Sequence, residues 1–174
     1  MKDMEQLFRE AFEHHADELF RHASMRLPDR DRALELTQET YLRAWQYANR
    51  GEEIREIRPF LFRTLRNLIV DEYRKAKSHS LDEMIEDDEG GVMESQLPRD
   101  DTNTLEAALD RFDGKRAIRA IQSLPDMYRE VLALRYVQSL DIAEIASLVG
   151  ESENVVSVRI HRGLKKLRTQ LEAQ

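Results

Sequence analysis

The stretch Val155–Arg168 reads VVSVRIHRGLKKLR. It carries five cations (Arg159, Arg162, Lys165, Lys166 and Arg168), one histidine and no acid, inside a 174-residue chain of formal net charge −7. Basic charge gathered on one short segment of an acidic protein marks an element that meets phosphates. On a helical projection Val156, Ile160, Gly163, Leu164, Leu167 and Leu171 share one face, while Ser157, Val158, His161, Arg162, Lys165 and Arg168 look away from it. One side suits a core and the other a polyanion. Just upstream, Asp141–Val149 (DIAEIASLV) is a short amphipathic helix. Asp141 is placed to cap it and Glu144 to close a capping box. Gly150 suits a left-handed C-cap, and Ser152 suits the N-cap of the basic helix. Helix, glycine turn and second helix with outward cations form a helix-turn-helix whose second helix is shaped for a DNA major groove. An ordinary helical hairpin with a solvated face would normally mix both signs of charge there.

Composition narrows the function classes. No run of about 18 apolar residues is present to span a membrane, and no apolar leader core follows the N-terminus, so a protein without membrane insertion is expected. The chain has no cysteine, which removes disulfides, thiolate metal sites and thiol redox chemistry. His14 and His15 are neighbours, about 100° apart on a helix. With His22 they are expected at the surface and not as metal ligands. No nucleophile–base pair, metal cluster or phosphate-cradling glycine loop stands out, so neither an enzyme nor a cofactor is expected.

Charge divides the chain better than hydropathy does. Residues 78–113 hold twelve acids against Arg99 and Arg111, a net −10 in a chain of −7, which leaves +3 for everything else. With Gly90-Gly91, Pro98 and few large apolar residues, this stretch has the composition of a linker. Its 36 residues reach about 120 Å when stretched and about 33 Å as a relaxed coil. The flanks are helical in pattern: Leu7–Arg26, Asp31–Asn49, Pro59–Lys77, Lys115–Ser123, Asp126–Gln138, Asp141–Val149 and Glu153–Glu172. No alternating strand pattern interrupts them. The expected architecture is all-α, with small helical domains at 1–77 and 114–174 joined by an acidic flexible linker at 78–113.

Two further faces lie in the first domain. On Pro59–Lys77, Leu61, Phe62, Leu65, Leu68 and Ile69 should build a core with Tyr41 and Trp45. Arg63, Arg66, Asn67, Val70 and Arg74 fall on the opposite arc, with Phe60 at its edge. Guanidinium groups interleaved with an aromatic and an amide suit single-stranded nucleic acid, where charges track phosphates and planar groups stack on bases. A plain arginine-rich outer face, partly paired with Asp71 and Glu72, explains the same spacing. On Asp31–Asn49, Glu35, Gln38, Glu39 and Leu42 stand at i, i+3, i+4 and i+7. That stripe is either a protein-docking face or a solvated surface with one loose leucine.

Taken together, these residues resemble bacterial RNA polymerase sigma factors of the extracytoplasmic-function class. LTQETYLRAW (Leu36–Trp45) resembles the polymerase-docking helix, and FLFRTLRNLIVDEYRK (Phe60–Lys75) the promoter-melting and minus-ten helix. LPDMYREVLALRYVQSLDIAEIASLVG with VVSVRIHR resembles the domain that reads the minus-thirty-five element. The likeness spans nearly the whole chain outside the acidic stretch. It implies a transcription initiation factor with core RNA polymerase (clamp coiled coil and flap), duplex and single-stranded promoter DNA, and an anti-sigma factor as partners. It also implies a cytoplasmic site of action, at the nucleoid through polymerase. Carried over residue by residue, it assigns polymerase docking to Glu35 (where the family usually has Asp), Leu36, Gln38, Glu39 and Leu42. In the minus-ten melting helix Arg66, Asn67 and Asp71 match and Phe60 stands in place of the usual tryptophan, while the face reading adds Arg63 and Arg74 to that surface. In the recognition helix Val156, Arg159, His161 and Arg162 match, and the outward face read above adds Ser157, Val158, Lys165, Lys166 and Arg168 to Arg159, His161 and Arg162 as minus-thirty-five contacts. Departures from the family pattern at Ser157, Val158, Gly163 and Leu164 are expected where base edges are read. Two other readings account for part of the chain: a stand-alone helix-turn-helix regulator, and a decoy that mimics a sigma factor to sequester an anti-sigma factor.

Overall fold

The computed structural model of the protein describes residues 2–79 and 114–173, and these hold helices and no strand. The expected linker therefore lies, from residue 80 onward, outside the described residues. The chain divides into two compact units, Met1–Met84 and Ile85–Gln174.

The first unit contains α1 (Lys2–Arg26), α2 (Arg30–Asn49) and α3 (Ile57–His79). Asp29 opens α2 as its N-cap, accepting from the amides of Asp31 (2.9 Å) and Arg32 (3.4 Å). This satisfies donors that a helix start leaves orphaned. The three helices bury Leu19, Ala23, Ala33, Leu36, Ala44, Leu61, Phe62, Leu65, Leu68 and Ile69 among them, so the apolar stripe read on α3 is its core face. Tyr41 and Trp45 do not join that core as expected. Both are half-buried and pack edgewise on α1, Trp45 on Phe8 and Tyr41 on Phe12, each pair with centroids 5.2 Å apart. The Tyr41 hydroxyl donates to the Ala11 carbonyl at 3.1 Å, and burial pushes its phenol pKa well above the ordinary value, with the Glu18 charge acting in the same direction.

Polar clamps fix the helices in register. Arg58 forks Glu18 through Nε (2.9 Å) and Nη2 (3.0 Å), and Arg32 forks Glu72 through Nε (2.8 Å) and Nη2 (2.7 Å). Tyr73 donates to the carbonyl of the buried Arg26, whose guanidinium lies 5.9 Å from the Tyr73 ring centroid. His22 corrects the expectation of a surface histidine: it is 1% exposed and meets Phe62 edge-on at 5.7 Å. It falls on the same face of α1 as Leu19 and Ala23, both fully buried, and helical position outweighs residue type. His15 and His14 stay near the surface, on Glu18 (2.7 Å) and the Glu10 carbonyl (2.7 Å).

The second unit contains α4 (Gly114–Gln122), α5 (Asp126–Leu132), α6 (Ile142–Val149) and α7 (Glu153–Glu172). The helix expected over Asp126–Gln138 widens after Leu132 into a π-helical turn, Ala133–Val137. Gln138 N then donates to Ala133 O (3.0 Å) and Leu140 N to Leu134 O (3.0 Å), with Ser139 left-handed at φ 57°. Apolar spacing does not distinguish one π turn from an α turn, so sequence periodicity missed it. Arg135 Nη1 caps the bend by donating to Leu140 O at 3.0 Å.

The helix pair downstream follows the sequence closely. Asp141 accepts from the Glu144 amide (2.8 Å) and Glu144 from the Asp141 amide (2.8 Å), closing the capping box. Gly150 is left-handed (φ 72°), and Ser152 Oγ accepts from Val155 N at 3.2 Å. Both caps fix where α7 begins and therefore which of its faces turns inward.

Candidate functional site

The outward face of α7 is the first candidate surface. Val156, Ile160, Gly163, Leu164, Leu167 and Leu171 are buried against α5 and α6, which leaves the other side of the helix to solvent. Gly163 keeps this packing close: a Cβ there would stand 3.1 Å from Leu132 Cδ1 and 3.3 Å from Tyr128 Cβ, so those side chains would have to give way by a few tenths of an ångström. This corrects one expectation. Gly163 and Leu164 are core residues and do not stand at base edges; of the four departures from the family pattern, Ser157 and Val158 alone lie on the accessible side.

The cations of α7 are not equivalent. Arg162 and Lys165 are exposed and have no ion-pair partner among the described residues. Arg159 Nη2 donates to Glu151 Oε1 at 2.8 Å, and Arg168 Nε donates to Glu172 Oε1 at 2.7 Å. That bond to Glu172 raises the Arg168 pKa. Lys166 Nζ sits 5.6 Å from the Tyr128 ring centroid, within cation–π range. Ser157, Val158 and His161 are partly exposed beside Arg162. The acids that hold two of these cations flank the basic run, so the charge within Val155–Arg168 does not by itself separate paired from unpaired cations.

A second surface lies on α3. Arg63, Asn67 and Arg74 are exposed, and Arg66 is half-buried. Arg74 Nη1 lies 3.7 Å from Asp71, whereas Glu72 faces Arg32 on α2 and does not pair with this arc. Phe60 is half-buried, its ring 4.9 Å from that of Tyr47 and tilted by 45°. Tyr47 was not singled out from sequence; it joins this surface through the α2–α3 packing, which no local spacing reveals. The result is an aromatic pair at one end of an arginine- and amide-bearing helix, suited to flat groups and phosphates together.

A third surface is on α2. Gln38 and Glu35 are exposed, Glu39 is partly so, and Leu42 is 55% exposed, with Leu34 nearby at 47%. Leu36 corrects its assignment: at 1% exposed it is core, and its contribution to any partner is to hold the helix in place. The carboxylates are already engaged, Glu35 by Arg32 Nη1 (2.7 Å) and Glu39 by Arg43 Nη2 (2.6 Å). Among the described residues no three His, Asp or Glu side chains gather to hold a metal, and no helix is long and apolar enough to cross a membrane.

Known proteins place these surfaces in a family. Residues 11–79 match the Sigma-70 region 2 family and residues 115–167 match Sigma-70, region 4. The ECF RNA polymerase sigma factor SigL of Mycobacterium tuberculosis is 34% identical over 167 residues, 95% of this chain and 89% of the relative. The ECF RNA polymerase sigma factor SigW of Bacillus subtilis is 32% identical over 140 residues, 80% of this chain and 75% of the relative. The fold is also that of the sigma factor RpoE, solved in complex with the anti-sigma factor NepR from Bartonella quintana. That likeness has a TM-score of 0.69 at 20% identity, covering 99% of this chain and 98% of that one. The chain belongs to the ECF RNA polymerase sigma factors. Members of that family are transcription initiation factors and not enzymes.

Proposed function

We propose that this sigma factor joins core RNA polymerase, brings it to a subset of promoters, and engages their DNA at two separated places. The observation that carries the reading is the two-sidedness of α7. Its apolar side is wholly used in the core, while Ser157, Val158, His161, Arg162 and Lys165 remain available to a groove. In this reading residues 114–174 bind the minus-thirty-five duplex. Arg159, Lys165, Lys166 and Arg168 meet phosphates, while Ser157, Val158, His161 and Arg162 meet base edges. Arg162 has the geometry to read guanine, and Val158 to touch a thymine methyl.

Residues 1–77 act on the minus-ten element. Phe60, supported by Tyr47, offers a plane to an unstacked non-template base, and Asn67 offers its amide. Arg63, Arg66 and Arg74 track the backbone. Extruding a base costs a few kcal/mol, and capture on an aromatic plane returns about 1–3 kcal/mol per base. Opening is therefore nearly balanced. It becomes directional because polymerase anchors the protein: the α2 stripe of Glu35, Gln38, Glu39 and Leu42 docks on the clamp coiled coil, and the C-terminal unit meets the flap. The acidic segment 78–113 is a linker whose charge suits a basic channel. An anti-sigma factor that covers the α2 stripe or α7 would hold the protein inactive in the cytoplasm.

Transcription in vitro with purified core polymerase on a promoter library tests the reading. Polymerase with the chain should start at a defined subset of sites that core alone ignores. Unchanged start sites would refute it. Tight sequence-specific binding by the chain in the absence of polymerase would favour a stand-alone regulator instead.

A further inference from the structure

The turn between α6 and α7 carries Glu151, the residue after the left-handed Gly150. Its carboxylate accepts from Arg159 across eight residues of sequence at 2.8 Å, with the two side chains 23% (Arg159) and 37% (Glu151) exposed. Arg159 lies within the proposed DNA-binding helix, so the pair sits where a phosphate would approach. We infer that Glu151 is a built-in competitor of the DNA backbone for Arg159 and sets how strongly the recognition helix holds any duplex.

The argument is one of like chemistry. A carboxylate and a phosphodiester are both oxyanions that accept from a guanidinium. A partly exposed pair of this kind is weak, so Arg159 exchanges partners readily. The exchange leaves Glu151 uncompensated beside a polyanion, well inside the screening length of about 8 Å at physiological salt. Moving Arg159 to phosphate therefore brings little net release of counterions. Lys165, which has no acid beside it among the described residues, contributes in full. The consequence is a helix whose sequence-independent attraction is held down while its base-reading residues are untouched. This inference rests on α7 being the duplex-binding element.

The test uses holoenzyme reconstituted with the full chain, a duplex recovered from the promoter library and a shuffled duplex of equal length, each titrated with salt. Glu151→Gln should tighten binding to both duplexes by about fivefold. It should also steepen the dependence of log affinity on log salt by about 0.9, one further phosphate contact. Arg159→Ala should weaken the Glu151→Gln variant more than it weakens wild type, since only the variant frees Arg159 wholly for phosphate, so the gain from Glu151→Gln should shrink in the Arg159→Ala background. Weaker promoter binding by Glu151→Gln, an unchanged salt slope, or an equal Arg159→Ala loss in both backgrounds would overturn the inference. Arg162→Ala and Lys165→Ala, measured alongside, separate the two levels. If both still weaken binding, only the role of Glu151 has failed. If neither does, α7 is not the duplex-binding element and both ideas fall.

Discussion

Arg32 and Glu72 form a fork between α2 and α3, with Nε to Oε1 at 2.8 Å and Nη2 to Oε2 at 2.7 Å. The same guanidinium reaches Glu35 at 2.7 Å, so one side chain ties the exposed stripe of α2 to α3. The Arg32 bond holds the Glu72 carboxyl below its ordinary value of 4.5 and raises the Arg32 pKa. A lowered carboxyl pKa stabilises the fold above the unfolded value, and that stability is lost as pH falls through the folded one. Glu72→Gln should therefore lower unfolding stability at pH 7 by about 1 kcal/mol, given a bidentate but partly exposed pair. The gap between variant and wild type should be narrower at pH 3 than at pH 7 in denaturant titrations. An equal gap at both pH values would contradict the assignment.

Leu36 and Leu42 separate folding from docking. Leu36 is in the core, so Leu36→Ala should cost about 2–5 kcal/mol of stability. Leu42 is exposed, so Leu42→Ala should leave stability within about 0.5 kcal/mol. It should nevertheless weaken association with core polymerase several-fold in a competition assay. A Leu42→Ala variant that binds core as wild type does would remove the α2 stripe from the interface.

Under the proposed reading, the Phe60–Tyr47 ring pair makes promoter opening sensitive to residues on two helices. Phe60→Ala should reduce the fraction of open complex about tenfold, since loss of one stacking plane is worth about 1–3 kcal/mol. Tyr47→Ala should produce a smaller loss in the same direction. Permanganate reactivity of unpaired thymines measures both, and closed-complex binding should hold steady. Loss of closed and open complexes in parallel would point to misfolding or failed docking instead.

On α7 the two unpaired cations should behave differently. Arg162→Ala should relax preference at one base pair of the minus-thirty-five element, at a cost of about 1–3 kcal/mol on the favoured sequence. Lys165→Ala should weaken all sequences alike and lower the salt slope by about one. Affinity measured across a set of single-base promoter variants distinguishes them. Identical profiles for both variants would contradict the division into base and phosphate contacts.

Much of this was legible in the sequence, for reasons visible in particular residues. The caps of α6 and α7 are local: Asp141, Glu144, Gly150 and Ser152 each act within four residues of their own position, and all four adopt the geometry their chemistry favours. The inward stripes of α3 and α7 follow from period alone. What the sequence withheld depends on contacts between distant segments. Leu36 shares a helix with the docking stripe, but its burial is decided by neighbouring helices. Tyr47 reaches Phe60, and Glu72 reaches Arg32, only once α2 and α3 are packed. The π-helical turn at Ala133–Val137 conceals itself because the apolar residues around it remain compatible with an uninterrupted helix.

Gly163 lets α7 lie so close to Leu132 and Tyr128 that the helix is anchored wholly from behind. Under the proposed reading, drift at Ser157, Val158, His161 and Arg162 can rewire which genes the protein answers to, generation by generation, with little damage to the scaffold.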